Sequence, residues 1–332
     1  VQTCALPIYH AQTRKLLAAL VRHPNAAAVL VLGLGCENLT HEQFLEELGD
    51  YDKDRVKFLI CQEAGDEFSE GRELLKQCAE YASQFKREPI PVSELVIGMK
   101  CGGSDGLSGI TANPAVGRFS DMMAARGGST VLTEVPEMFG AEGFLMNRCV
   151  NEAVFEKAVD MINGFKNYFI SHNEVVYDNP SPGNRQGGIT TLEDKSCGCV
   201  QKGGTAPIMD VIGYGDPVTA KGLNMLYGPG NDLVSATAMT AAGAHMILFT
   251  TGRGTPFGAP APTLKLATNS QLAEKKKGWI DFDAGPIADG ESIDDAAKRL
   301  LQLVIETADG KQTKAEEKGF REISIFKDGV VL

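Results

Sequence analysis

Leu95-Val-Ile-Gly-Met99 runs through Lys100 into Cys101-Gly-Gly-Ser-Asp-Gly-Leu-Ser-Gly-Ile-Thr-Ala-Asn-Pro114. The first five residues have the length and apolar composition of a buried strand. The stretch from Cys101 to Pro114 is rich in glycine and short polar side chains and carries one thiol. Glycine lets backbone N–H groups approach a ligand closely, and short polar side chains supply donors and acceptors at small entropic cost. A strand that ends in such a loop is where an open α/β sheet places its ligand. The plainer alternative is a tight turn that is polar only because it is exposed.

The same alternation extends in both directions. Upstream, residues 11–22 have helical spacing of leucines and end before Pro24, residues 28–34 read as a strand, and Thr40 with Gln43 forms a capping box for a helix through Leu48. Val56–Ile60 is the next strand and residues 67–86 the next helix. Glu88-Pro-Ile-Pro91 marks a boundary, because two prolines stop a helix and cannot pair in a central strand. Downstream, strands are expected at 95–99, 130–132, 208–212, 246–250 and 264–267, and helices at 115–126, 141–147, 151–169, 232–241 and 293–307. Residues 179–205 are expected to be a long, polar, glycine-rich connection of the functional or mobile kind. The pattern predicts an α/β protein of mostly parallel sheets flanked by helices.

Composition narrows the function. The 332 residues carry a formal charge of −11, which argues against nucleic acid or an anionic membrane surface as partner. The longest apolar run, residues 26–36, is too short to span a bilayer. Eight cysteines without a regular framework read as reduced thiols in a cytoplasmic protein. The opening Val1-Gln-Thr-Cys-Ala-Leu-Pro-Ile8 matches the in-frame translation of a common sequencing adapter and is expected to be a non-native scar.

Three further loops share the character of the first: residues 36–38, residues 180–188 leading into Thr190-Thr-Leu-Glu-Asp-Lys-Ser196, and Thr250-Thr-Gly-Arg-Gly-Thr-Pro256. Their hydroxyls, amides, arginines and lysines suit a small polyhydroxylated anion better than a nucleotide, for which no phosphate-binding glycine motif is present. Arg253 offers a bidentate fork for a carboxylate, or a surface ion pair. Lys195 or Lys202 is a base if desolvated, and a solvated cation otherwise. Glu134 and Glu137 straddle Pro136 after a strand, where acid/base work and helix-dipole stabilisation are equally served. His245 reads as a core histidine. Asp281 and Asp283 point to one side of an extended segment, as cation ligands or as turn caps. The thiols of Cys36, Cys101 and Cys199 all lie in glycine-flanked loops and are free to converge.

Gly33-Leu-Gly-Cys-Glu-Asn38, Cys101–Pro114, Leu132-Thr-Glu-Val-Pro-Glu137, Asn179-Pro-Ser-Pro-Gly-Asn184 and Thr251-Gly-Arg-Gly-Thr-Pro256 resemble the altronate/galactarate dehydratase family, over residues 9–332. Glu193-Asp-Lys-Ser196, Trp279-Ile-Asp-Phe-Asp-Ala-Gly285 and Phe320-Arg-Glu-Ile-Ser-Ile-Phe326 are closer to its altronate branch. The resemblance implies residues 9–90 as part of a central α/β domain, truncated at its N-terminal side, and residues 91–332 as the C-terminal dehydratase domain. It implies a hydro-lyase of uronate catabolism that takes D-altronate to 2-dehydro-3-deoxy-D-gluconate by loss of the C2 proton and the C3 hydroxyl. Such a reaction calls for a divalent metal, Fe2+ or Mn2+, to stabilise the enediolate. The residues expected to serve it are Lys195 and Glu134 for proton transfer, Ser104, Asp105, Asn113, Asn184, Arg253 and Thr255 for substrate, and Cys36, Glu37 and Cys101 for the metal. The partner is then a small sugar acid, with homo-oligomerisation left open. The alternatives are a galactarate or related aldarate dehydratase, a non-catalytic sugar-acid binding fragment, and a phosphate or nucleotide enzyme.

Overall fold

A computed structural model describes residues 7–327, so most of the expected N-terminal scar lies outside the described residues. Within them the chain divides into two compact units, with boundaries at Ile90/Pro91 and Ser324/Ile325.

The first unit is a small α/β layer. Strands β1 (Val29–Gly33) and β2 (Val56–Ile60) pair in parallel, and helices α1 (Pro7–Arg22), α2 (His41–Leu48) and α3 (Glu67–Ala82) accompany them. Thr40 and Gln43 make the expected capping box on α2. Ala18, Val21, Phe44, Leu48 and Val56 form its core.

The second unit is built on seven parallel strands in the order β5-β6-β4-β3-β7-β8-β9. These are β3 (Val96–Cys101), β4 (Ser129–Leu132), β5 (Ile208–Ile212), β6 (Gly222–Leu226), β7 (Met246–Thr251), β8 (Thr263–Ala267) and β9 (Phe282–Asp283). Every residue of β4, β6, β7 and β8 is buried, as expected for a parallel sheet covered on both faces. The covering helices are α4 (Ala112–Ala124), α5 (Glu142–Met146), α6 (Glu152–Ser171), α7 (Pro182–Gln186), α8 (Leu192–Val200), α9 (Asp232–Ala241), α10 (Ser270–Lys275), α11 (Ile293–Ala308) and α12 (Lys314–Glu317). Asn151, Asn231, Asn269 and Ser292 cap α6, α9, α10 and α11 through their side chains.

The topology fixes where a ligand belongs. The chain leaves β3 for β4 and β6 on one side, then crosses to β7 and β8 on the other. The switch point is therefore the carboxyl end of β3, between β4 and β7. On that end, α4 lies so close to the turn after α8 that a Cβ at Gly117 would stand 2.0 Å from the carbonyl oxygen of Gln201. Only glycine permits that approach.

Two expectations need correction here. Gly222–Leu226 is a central strand that the sequence pattern did not reveal, and residues 179–205 are no open connection but carry α7 and α8. The polar Asn224 in β6 is accommodated because its Nδ2 donates to the carbonyls of Ala220 and Gly222, both at 2.9 Å. Among the described residues no helix is long and apolar enough to cross a membrane.

Candidate active site

The last residues of β3 point to opposite faces of the sheet, and each meets charge. Lys100 is wholly buried, with Nζ 2.9 Å from Glu134 Oε1, 2.6 Å from Asp232 Oδ1 at the start of α9, and 5.0 Å from the Phe249 ring centroid. Cys101 donates its backbone N–H to Glu134 Oε2 at 2.9 Å, and Lys202 Nζ lies 3.3 Å from that same oxygen. Glu134 holds two buried ammonium groups and the end of the strand at once. It does so from a left-handed backbone conformation, φ 68°, uncommon for a residue with a side chain. Burial and the neighbouring Cys101 sulfur push its carboxyl up to about 7, against the pull of Lys100 and Lys202.

On the other face two thiols and a carboxylate converge. Cys101 Sγ is 3.5 Å from Cys199 Sγ and 3.1 Å from Glu137 Oε2, and Cys199 Sγ is 2.8 Å from that oxygen. Among the described residues this is the group of three whose ligand atoms lie within 4.8 Å of one another. Lys195 Nζ sits against all of them: 2.6 Å from Glu137 Oε2, 3.1 Å from Cys199 Sγ and 3.5 Å from Cys101 Sγ, with Ser104 Oγ at 3.1 Å. The bond from Cys199 and the positive lysines hold the Cys101 thiol well below its ordinary range, while the same bond and burial push Cys199 above it. Burial works against the Lys195 charge, but the two sulfurs and Glu137 more than offset it, so the amine stays protonated.

This donor set fits a divalent ion of borderline softness. Two sulfurs on one tetrahedral ion at about 2.3 Å stand about 3.8 Å apart, close to the 3.5 Å seen here. Buried positive charge is already accommodated at the centre of the group by Lys195.

Helix α8 makes the convergence. Thr191 caps it by accepting the Asp194 N–H at 3.1 Å, and Lys195 and Cys199, four residues apart, share one face. A cavity of about 180 Å³ adjoins that face. Ser104, Ser108, Gly109, Asn113, Asp194 and Lys195 are among its walls. Glu134 does not line it.

The expected residues separate accordingly. Ser104 and Lys195 meet at the cavity. Asp105 lines it but is spent on the loop's own geometry, accepting from Leu107 N, Ser108 Oγ, Thr268 Oγ1 and Asn269 Nδ2. Asn113 ties elements together, donating to Gly198 O at 2.9 Å and accepting from Thr250 Oγ1 at 2.7 Å. Asn184 donates to Ser104 O at 3.0 Å. Arg253 is exposed and donates to Gln186 Oε1 at 3.4 Å, and the Thr255 carbonyl accepts from Phe257 N at 3.0 Å. Cys36 and Glu37 lie in the first unit, Cys36 exposed and Glu37 half-buried. There Gln62 Nε2 approaches Cys36 Sγ at 3.3 Å, and Glu37 folds back onto the N–H of Leu34 at 2.9 Å. The group around Cys101 that could hold a metal ion is completed by Cys199 and Glu137, neither of them in the expected metal set. Of the alternatives left open, His245 accepts the Val96 N–H at 3.0 Å as a core residue, Asp281 accepts backbone N–H groups of Lys265 in β8 and Lys314 at the start of α12, and Asp283 accepts that of Gly285.

Comparison with known proteins places this geometry. Residues 92–331 match the D-galactarate/altronate dehydratase C-terminal model, and residues 3–83 match the D-galactarate dehydratase/altronate hydrolase second-domain model. The altronate dehydratase of Escherichia coli is 57% identical over 323 residues, covering 97% of this chain and 65% of that protein. The galactarate dehydratase (L-threo-forming) of the same organism is 36% identical, over 93% of this chain and 62% of its own. The (2R)-sulfolactate sulfo-lyase subunit beta of Chromohalobacter salexigens is 31% identical, over 92% and 79%. With its C-terminal 240 residues matched throughout and both models in their order, the chain belongs to the D-galactarate/altronate dehydratase family.

Proposed function

We propose that this chain dehydrates a 2-hydroxy sugar acid, D-altronate, to 2-dehydro-3-deoxy-D-gluconate, with Cys101, Cys199 and Glu137 as ligands of a divalent metal ion. The observation that carries this reading is the meeting of two thiols, a carboxylate and a buried ammonium, of which Cys199 and Lys195 reach the wall of a hydroxyl-lined cavity. The higher identity to an altronate dehydratase than to a galactarate dehydratase favours the aldonate. The sulfo-lyase relative is consistent with the same logic, since sulfolactate also carries a hydroxyl on C2 and a group able to leave from C3.

A proton beside a carboxylate is very weakly acidic, and a bound ion supplies the Lewis acidity that stabilises the negative charge left when it departs. Two sulfurs and one oxygen suit iron(II) better than manganese among the two metals expected. The protein's own groups do the rest. Ser104 and the glycine-rich loop after β3 receive hydroxyls, and Lys195, at once on the ligand group and in the cavity wall, handles a proton at the reacting carbons. Glu134 acts at one remove, fixing Lys100, Lys202 and the Cys101 backbone. Thiols that serve as ligands must stay reduced, a requirement that a reducing compartment such as the cytoplasm meets.

The chain spans 65% of the length of the altronate dehydratase it matches, so activity is tested on this chain itself. With iron(II) under anaerobic conditions, a 2-oxo acid should form from D-altronate faster than from galactarate. A chelator or Cys199→Ser should abolish it. A metal-loaded chain that yields no 2-oxo acid from either acid overturns the reading.

A further inference from the structure

The Lys195 ammonium occupies a place that its neighbours would otherwise give to an ion. Its Nζ lies within 2.6–3.5 Å of Glu137 Oε2, Cys199 Sγ and Cys101 Sγ. Those three atoms are themselves 2.8–3.5 Å apart, so no second cation fits among them while the ammonium stays. Lysine carries four rotatable side-chain bonds, and the cavity of about 180 Å³ opens directly beside it, with Asp194 on its wall.

We propose that Lys195 is an internal stand-in for the metal: it holds the two sulfurs and Glu137 together in the metal-free protein, and turns into the adjacent cavity when the ion takes its place. This rests on the metal reading above and adds to it an order of events. The ion enters first, and its entry puts a positive side chain into the cavity, where the carboxylate of a sugar acid has a partner. No bond is made or broken; one cation replaces another at the same three atoms. The remaining lysines keep their posts, because Lys100 and Lys202 are held by Glu134 and not by the ligand group.

The test is iron(II) binding to the full chain by anaerobic equilibrium dialysis at fixed pH, with Lys195→Met, Lys195→Arg and Cys199→Ser beside the wild type. Removing the competitor should tighten binding in Lys195→Met by at least about tenfold, the scale on which groups touching metal ligands act. Lys195→Arg, which restores a cation of similar reach, should bind no more tightly than the wild type. A wild type that binds iron(II) together with a Lys195→Met variant that binds it equally or less well overturns the proposal and leaves the metal reading standing. If neither protein binds iron(II) more tightly than Cys199→Ser does, the metal reading itself falls, and this proposal with it. Should Lys195→Met prove unstable, the wild type alone is informative. Lys195 should then become reactive toward an amine-directed acylating reagent when iron(II) is added, and unchanged protection would count against the exchange.

Discussion

Two regions of the larger unit bury lysine, and they do so on opposite terms. At the carboxyl end of β3, Lys100, Lys195 and Lys202 are almost fully buried, and each meets a carboxylate within 3.3 Å. Two strands away, Lys265 on β8 is just as buried, yet among the described residues its Nζ has no hydrogen-bond partner, and it lies 5.6 Å from the Phe320 ring. Burial raises the cost of a charge in both places, but only the first region returns it as ion pairing. Lys265 is pulled down to about 8 by that burial, whereas in spite of it Lys100 is raised by Glu134 and Asp232, and Lys202 by the Cys101 and Cys199 sulfurs and by Glu134. Charge concentrated at the switch point is thus paired, and a buried amine without a hydrogen bond is a weakness of the sheet.

Four measurements sharpen that contrast. Glu134→Ala strips Lys202 and half of Lys100's pairing from a buried site. It should lower stability by about 3–5 kcal/mol in urea unfolding. A loss below about 1 kcal/mol would mean that the cluster is more hydrated than its burial indicates. Lys265→Met should do the reverse and stabilise by about 1–3 kcal/mol, because it removes an unsatisfied donor while keeping the apolar stem. The third test follows the same variant with pH. An unfolded lysine titrates near 10.4, and folded Lys265 near 8. Between these values the unfolded chain keeps a proton that the folded chain has released, so wild-type stability gains with rising pH. Below about 8 the penalty is complete, and the advantage of Lys265→Met should shrink from there to about pH 10.4. An advantage that is flat with pH would assign it to packing instead. Last, Phe320→Leu should cost about 0.5–1 kcal/mol more in the wild type than in Lys265→Met, the share owed to the ring's attraction for the amine.

Much of the fold was legible because local signals and burial agree. Val56–Ile60 and Asp232–Ala241 stand where their periodicity placed them, and the Thr40–Gln43 box is real. The failures have separate physical reasons. Gly222–Leu226 hides its strand character behind Asn224, whose amide nitrogen is held by nearby carbonyls in a way no pattern of hydrophobicity reveals. Helix α8 carries Gly198 and two cysteines, weak helix formers, so its low propensity masked it. One signal was available: Thr191 three residues before Asp194 is an N-terminal helix signature, and it puts Lys195 and Cys199 on one face. The ligand group was harder. Cys36 and Cys101 look alike as glycine-flanked thiols, and only the pairing of β4 with β3 together with the packing of α8 brings Glu137 and Cys199 to Cys101. Sequence gave the inventory of the site, and register decided its membership.

The contact at Gly117 bears on motion. Where one backbone rests on another there is no side chain between them to change rotamer and absorb movement. The turn bearing Lys202 is therefore coupled to α4 as stiffly as strands are coupled in a sheet. Amide hydrogens around residues 201–204 should exchange with solvent as slowly as those of β3 and open only with the unit as a whole. A Gly117→Ala exchange would turn this fixed post into a loose one, and the amides of that turn would report it before any change in the sheet.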